Sequence, residues 1–411
     1  MKSTSIKVSL YLNYFVFAIL LNSIGIVILK SLENYGVDEV QASVLDLFKE
    51  LPIAITSFVI ASFLPRIGYK KAMLVALGLS TVACIYMYYG NSFWSAKILF
   101  ASVGISFALI KVSVYSLIGL ITKNRKEHQS LFSSIEGFFM VGIGVAYFLF
   151  PAFNSETDPN AWLNVYWLLA GLSLISFLVL LFSDFDENYE IPGTDLVDDV
   201  RQTFMLCAKF LVLVFIACVF LFLMVEQGIM TWLPTFYKRV LELPTNVSIM
   251  MASIFAMSLA IGRIVAGYLV RYISWISIVT GCIFLAMLMV LFVLPKTVEV
   301  NVGDIASISD IPLIGFAFPI VGLFIAPIYP LMISAGLSAL PKKLHSSMTG
   351  LIVVFAALGG ITGSILVGWL FKEVGPKEAF FYTIIPMGLL FISIILLNRL
   401  TKQKHVTDTE H

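Results

Sequence analysis

"ASFLPRIGYKKA" (Ala61–Ala72) ends one long apolar run and opens the next, and "IGRIVAGYLVRYIS" (Ile261–Ser274) stands at the matching place in the second half of the chain. Each puts arginine and glycine where a helix would meet the membrane surface. Small residues there let helices pack closely, and the cations stop the helix from sliding into the hydrocarbon. One device at corresponding places implies two related halves.

The rest of the chain supplies the setting. Of its 411 residues 59% are hydrophobic and only 12% charged, which excludes a soluble globular protein of this size. A bilayer span needs about 20 apolar residues, and runs of that length recur from end to end. The net charge of +1 says nothing of partners, but the charges are scattered in short loops without a basic patch of nucleic-acid size, which argues against nucleic acid as a partner. Cys84, Cys207, Cys218 and Cys282 lie in or beside apolar runs without ligand spacing and read as small buried hydrophobes. The first run, from Lys7 to Ile28, is long for a signal peptide and reads as a retained helix.

Glycine, proline and charge clusters cut the sequence into twelve expected spans: 8–29, 44–64, 72–90, 94–121, 130–150 and 162–183, then 208–236, 246–270, 274–294, 310–335, 347–370 and 378–398. Alternate loops carry Arg66, Lys70 and Lys71; Lys123, Arg125 and Lys126; Arg271; and Lys342 and Lys343. By the positive-inside bias these loops and both termini are cytoplasmic. Lys238, Arg239, Lys372 and Lys377 fall on the other side as exceptions. The acidic stretch "DFDENYEIPGTDLVDDVRQTFM" (184–205) separates two sets of six spans. The expected organisation is an N-terminal bundle (1–183), a cytoplasmic linker (184–207), a C-terminal bundle (208–399) and a cytoplasmic tail (400–411). The fold class is an all-α membrane protein of twelve helices in two six-helix halves. Its place is the plasma membrane, the inner membrane of a bacterium.

The chain resembles the major facilitator superfamily from the first span to about Arg399. The signature loop of that family runs glycine, three residues, aspartate, two residues, glycine, then basic residues. Here Ala61 takes the first glycine position and Pro65 the aspartate position, while Arg66, Gly68, Lys70 and Lys71 fit. In the second half Gly262, Arg263 and Gly267 fit, and Arg271 replaces the acid. The resemblance implies a gating role for these positions, without the acids of the usual charge relay. Within the superfamily, "EQGIMTWLPTFY" (Glu226–Tyr237) and the charged fourth span resemble the fucose–proton symporter group, with anion–proton symporters close behind. That group has an acid in span one and another in span four. This chain has Asn13 and Asn22 in span one and Lys111 in span four, so neither acid carries over, and an anionic substrate gains ground over a neutral sugar.

Ionisable residues inside a span are costly and are functional candidates. In "GISFALIKVSVYSLIGLITK" (Gly104–Lys123), Lys111 lies roughly 20 Å along the helix from Lys97 and from Lys123. It is expected to bind an anionic or hydroxyl-rich solute, or to pair with a carboxylate. Glu226 in span seven is far along its helix from Lys209 and Lys238. A carboxyl group in an apolar cavity exchanges protons near neutrality, so Glu226 is expected to govern proton coupling, or else to neutralise Lys111; Gln227 beside it can give and accept hydrogen bonds. In "DLFKELPIAITSF" (Asp46–Phe58), Asp46 and Lys49 read as a gating pair or a plain salt bridge at the mouth of the carrier, with Glu50 deeper. Glu136, followed by Gly137, Gly142 and Gly144, is a proton site, a gate residue, or a structural partner of Arg125 or Lys126. Asn22, Tyr115 and Trp232 complete the expected solute contacts. Pro327, Pro330 and the glycines 359, 360, 363 and 368 support bending of spans ten and eleven.

An enzyme is the first rival reading. His128, His345, His405 and His411 lie in loops or the tail, and no nucleophile–base, metal-binding or nucleotide-binding pattern occurs. A channel lacks its filter sequence, and a scaffold needs no lone charges at mid-depth. The expected function is secondary active transport of a small polar organic solute (sugar, sugar acid or carboxylate), coupled to protons, with export or solute exchange as the alternative. No cofactor or metal is implied. The partners are solute, protons and membrane lipid, and the protein is expected to be a monomer.

Overall fold

The computed structural model describes residues 2–121, 125–155, 157–183, 205, 208–298, 311–340 and 345–409. The linker expected at 184–207, Lys123, Lys342, Lys343 and Cys207 lie outside the described residues, apart from Met205. Every described regular element is helical. Eleven of the described helices or helix runs are apolar and long enough to cross a membrane. The remaining long helix, Glu39–Ile67, carries Asp46, Lys49 and Glu50 in its first half, and at about 1.5 Å per residue its 29 residues also exceed a ~30 Å hydrocarbon core. Large apolar side chains such as Val82, Ile264, Phe292 and Ile392 stay uncovered by protein, as the lipid-facing side of a multi-spanning protein requires. The chain is an integral, multi-spanning membrane protein.

Contacts divide it into two compact units, Met1–Val37 with Val44–Thr194, and Asp38–Ser43 with Asp195–His411. In the first unit, span one is Lys2–Asn22 continued as Ile24–Asn34. The helix is interrupted at Ser23, whose hydroxyl donates to the Leu20 carbonyl at 2.8 Å, a side-chain bond that competes with the helix ladder. Spans two and three, Glu39–Ile67 and Tyr69–Gly90, are separated by Gly68 alone, at φ +96°, a conformation glycine adopts without strain. Spans four and five are Phe93–Ile121 and Arg125–Ala152. Span six, Val165–Leu181 after the short turn Ala161–Asn164, ends under Lys70, whose ammonium donates to the Leu181 carbonyl at 3.0 Å and to that of Ser183 at 2.6 Å.

In the second unit, span seven is Phe210–Val240 and span eight Thr245–Leu269. Span nine starts as Trp275–Leu288, widens to a π-turn at Met289–Val293 and ends at Leu294–Val298. Span ten is broken: short turns at Leu313–Phe316 and Phe318–Ile320 lead to Val321–Ile325, and Ile328–Ser338 resumes after Ala326 and Pro327. Proline lacks the N–H that would continue the ladder. Span eleven, His345–Glu373, lies so close to span seven that a Cβ on Gly359 or Gly363 would strike the carbonyls of Phe220 or Met224. Span twelve runs through Pro376–Ala379 and Phe380–Thr383 into Ile384–Thr409. Arg239 and Lys372, exceptions to the charge bias, each meet an acid of the same unit: Arg239 pairs with Glu39, and Lys372 with Asp38 at 3.0 Å. Outside the spans, the Asp38 carboxyl is held below its usual range by the Gln41 backbone N–H and by Lys372.

Candidate functional site

The first unit gathers most of the expected residues. Lys111 is half-buried on span four. Its ammonium stands 5.7 Å from the ring centre of Phe107 and 5.9 Å from that of Tyr115, one helical turn to either side. Among the described residues no carboxylate forms an ion pair with it. The aromatic surface continues from there, since Tyr14 of span one packs against Phe107, Tyr115 and Phe139. Tyr115 donates its hydroxyl to Glu136 at 2.9 Å. Glu136 therefore has a partner from span four. The side chains of Arg125 and Lys126, its expected partners, lie outside the described residues, as does that of Arg66.

Span two brings its charges to the same bundle. Gly104 lets the two helices touch: a Cβ there would stand 2.5 Å from the Lys49 carbonyl and 3.3 Å from Pro52 Cβ. Lys49 lies 2.9 Å from Asp46 and 3.2 Å from Glu50. The expected contact between Asp46 and Lys49 is present, and it is buried. The Lys49 and Asp46 side chains are only 5% and 1% exposed, and Lys49 bridges two carboxylates. Spacing of i,i+3 predicts contact but not depth. Glu50 is the least covered of the three, at 17%.

In the second unit, Glu226 does not stand alone. Arg263 of span eight donates to its carboxylate at 3.3 Å, with side chains 35% and 8% exposed. Arg263, expected at a gate, is the counter-ion of the residue expected to carry the proton. The two are 37 positions apart on different helices, so neither periodicity nor spacing joins them. Tyr329 of span ten lies within electrostatic reach of both and stacks on Phe222 at 5.5 Å. Gln227 is half-buried beside Glu226.

Other expected residues sit elsewhere. Trp232 is fully buried, donates its indole N–H to the Ser364 carbonyl at 2.9 Å, and packs on Phe371. Its surface is used up inside the helix packing. Asn22 turns back on its own helix, donating to the Ala18 carbonyl at 2.8 Å. Gly262 permits span ten to approach through Leu323 and Ala326, whereas Gly267 has open space around it and is not a packing glycine. Lys70 caps span six as described above. Lys30, which the sequence left at the end of span one, is buried and paired with Glu33 at 3.2 Å; the helix runs on to Asn34, past the apolar run that marked its end.

The arrangement offers an accessible cation among aromatic rings in one unit, a buried acid–base pair in the other, and hydrogen-bonding groups near each. No curated protein matches the chain by sequence. Among solved structures it is similar to a bacterial homologue of the human lysosomal transporter Spinster (TM-score 0.72, 12% identity, 99% of this chain and 98% of that one). It is also similar to the nucleoside transporter NupG (0.72, 14%, 95% and 99%) and to the E. coli fucose:proton symporter FucP (0.61, 12%, 97% and 99%). The likeness is spread over transporters of different solutes and at these identities shows the fold. A family model described as Major Facilitator Superfamily matches residues 10–351, and the chain belongs to that superfamily.

Proposed function

We propose that the chain carries a small, negatively charged organic solute, a carboxylate or sugar acid, across the plasma membrane by alternating access, driven by protons. Membership of the superfamily makes it a secondary transporter of small solutes. The observation that supports the finer reading is Lys111: a half-buried ammonium in mid-span, flanked by two aromatic rings and without an ion-pair partner among the described residues. An ammonium at that depth is costly unless it has water or an anion to face. The half-buried ring of Tyr115 offers surface for the solute body and carries a hydroxyl, with the buried rings of Phe107 and Tyr14 packed behind it. Proton coupling would fall to one of three carboxylates in the spans: Glu50, Glu136 or Glu226. In this reading both termini are cytoplasmic, the membrane is that of a bacterium, and the monomer is the working unit.

The test is uptake of labelled gluconate, glucuronate and lactate into proteoliposomes. Lys111→Met keeps the bulk and removes the charge, and it should lower uptake at least tenfold without loss of folded protein. Unchanged rate and affinity in that variant would remove Lys111 from the solute site.

A further inference from the structure

Four charged side chains of the first unit form one electrostatic group. Lys49 pairs with Asp46 at 2.9 Å and with Glu50 at 3.2 Å on the same helix. Lys111 lies two turns along from Gly104 on the same face of span four, the face that meets Lys49 and Pro52 on either side of Glu50. Fully ionised, the group balances, with two ammonium groups against two carboxylates. A monoanion placed on Lys111 would leave one uncompensated negative charge inside the membrane, which is expensive. One proton restores the balance.

The geometry separates the carboxylates able to take it. Asp46 is closer to Lys49, and its side chain is 1% exposed. Glu50 has the longer contact, and its side chain is 17% exposed. If Glu50 is neutralised, Lys49 keeps Asp46 as a full counter-ion and no buried ammonium is stranded. Glu136 comes near through Tyr115, whose hydroxyl it accepts at 2.9 Å. Its charge would add to the cost of an anion on Lys111. Lys97, about four turns away on span four, sits among the rings of Phe93, Trp94 and Phe48 at 4.6, 4.6 and 5.7 Å.

We infer that Glu50 is the proton site of the first unit: it takes up one proton as Lys111 takes one monoanionic solute, so the pair is bound with no net charge. This rests on the reading of Lys111 as the solute's ionic contact. The proton comes from bulk water on the side from which the solute enters, and Glu50 returns it when the solute leaves. By linkage, the solute and the proton strengthen each other's binding.

Calorimetry on the purified full chain tests this with gluconate, glucuronate and lactate as probes, in buffers of different ionisation enthalpy and over a range of pH. The parent protein should take up close to one proton per probe bound above the pH at which Glu50 titrates. There its affinity should fall about tenfold per pH unit, the slope of a single linked proton. Glu50→Gln should bind with no proton uptake and less than about twofold change over the same range. Glu50→Asp, should the amide variant fail to fold, should keep the uptake with its midpoint displaced; an unmoved midpoint would count against Glu50. Glu136→Gln and Glu226→Gln should keep the parent's slope. Lys111→Met should bind none of the probes. If the parent binds no probe, or Lys111→Met binds like the parent, the reading of Lys111 fails. If Lys111→Met loses binding while Glu50→Gln still takes up a proton, only the assignment of Glu50 is overturned. Binding by the parent without proton uptake would overturn it too.

Discussion

Arg263 and Glu226 are unequal partners. Glu226 is the deeper of the two, so removing its arginine strands a carboxylate in a dry place, whereas removing the carboxylate leaves a cation with some access to water. Breaking one side of a buried pair costs roughly 3–5 kcal/mol, more than the pair contributes against an apolar replacement. With Arg263 one-third open, the lower end of that range applies. Arg263→Ala should therefore lower the melting temperature clearly, Glu226→Gln should lower it little, and the double variant should recover most of the loss. Equal losses from both single changes would mean that the pair is not asymmetric. Lys111 was legible from sequence because a lone charge in a long apolar run needs no partner to be noticed. The Glu226–Arg263 pair was not, because its members reach each other only through the packing of spans seven and eight. Composition also could not show that Trp232 spends its indole on a backbone carbonyl.

At the scale of elements, the contact between spans seven and eleven is set by glycine. Gly359 and Gly363 lie four residues apart on one face of span eleven, and the span-seven backbone occupies the space a side chain would need. The obstacle is backbone and cannot rotate away. Gly363→Ala should destabilise by about 1–3 kcal/mol, the usual cost of overpacking, while Gly281→Ala, where nothing lies within 4 Å, should be neutral or slightly stabilising because alanine favours helix. Thermal unfolding in one detergent would compare them; a neutral Gly363→Ala would mean the seam is looser than described. Gly68 poses a different constraint, since it alone joins two helices at φ +96°. Gly68→Val should cost more than Gly68→Asn, because asparagine tolerates positive φ better, and the reverse order would count against a conformational role. Helix identity was readable from apolar run length, and the bend of span ten from its prolines. The interruption at Ser23 and the extension of span one to Asn34 were not, because helices continue past the apolar segment wherever tertiary packing holds them.

For the whole molecule, the two-half organisation was visible in the repeated basic glycine-bearing loops, and the packing yields two units. The sequence did not show that Asp38–Ser43 groups with the second of them. Orientation in the membrane follows from the lysine and arginine bias alone. In a cysteine-free background, a single cysteine replacing Asp195 should react with an impermeant thiol reagent only from the cytoplasmic side; reaction only from outside would invert the topology. The central claim is that a proton gradient drives an anion through a site built on Lys111. Its most direct measurement is accumulation of labelled gluconate, glucuronate or lactate in proteoliposomes, with and without an inward proton gradient, at clamped zero potential. The account predicts that at least one of them is concentrated inside only when the gradient is imposed, and that Lys111→Met abolishes this. Accumulation of none, or accumulation that ignores the proton gradient or survives Lys111→Met undiminished, would contradict it.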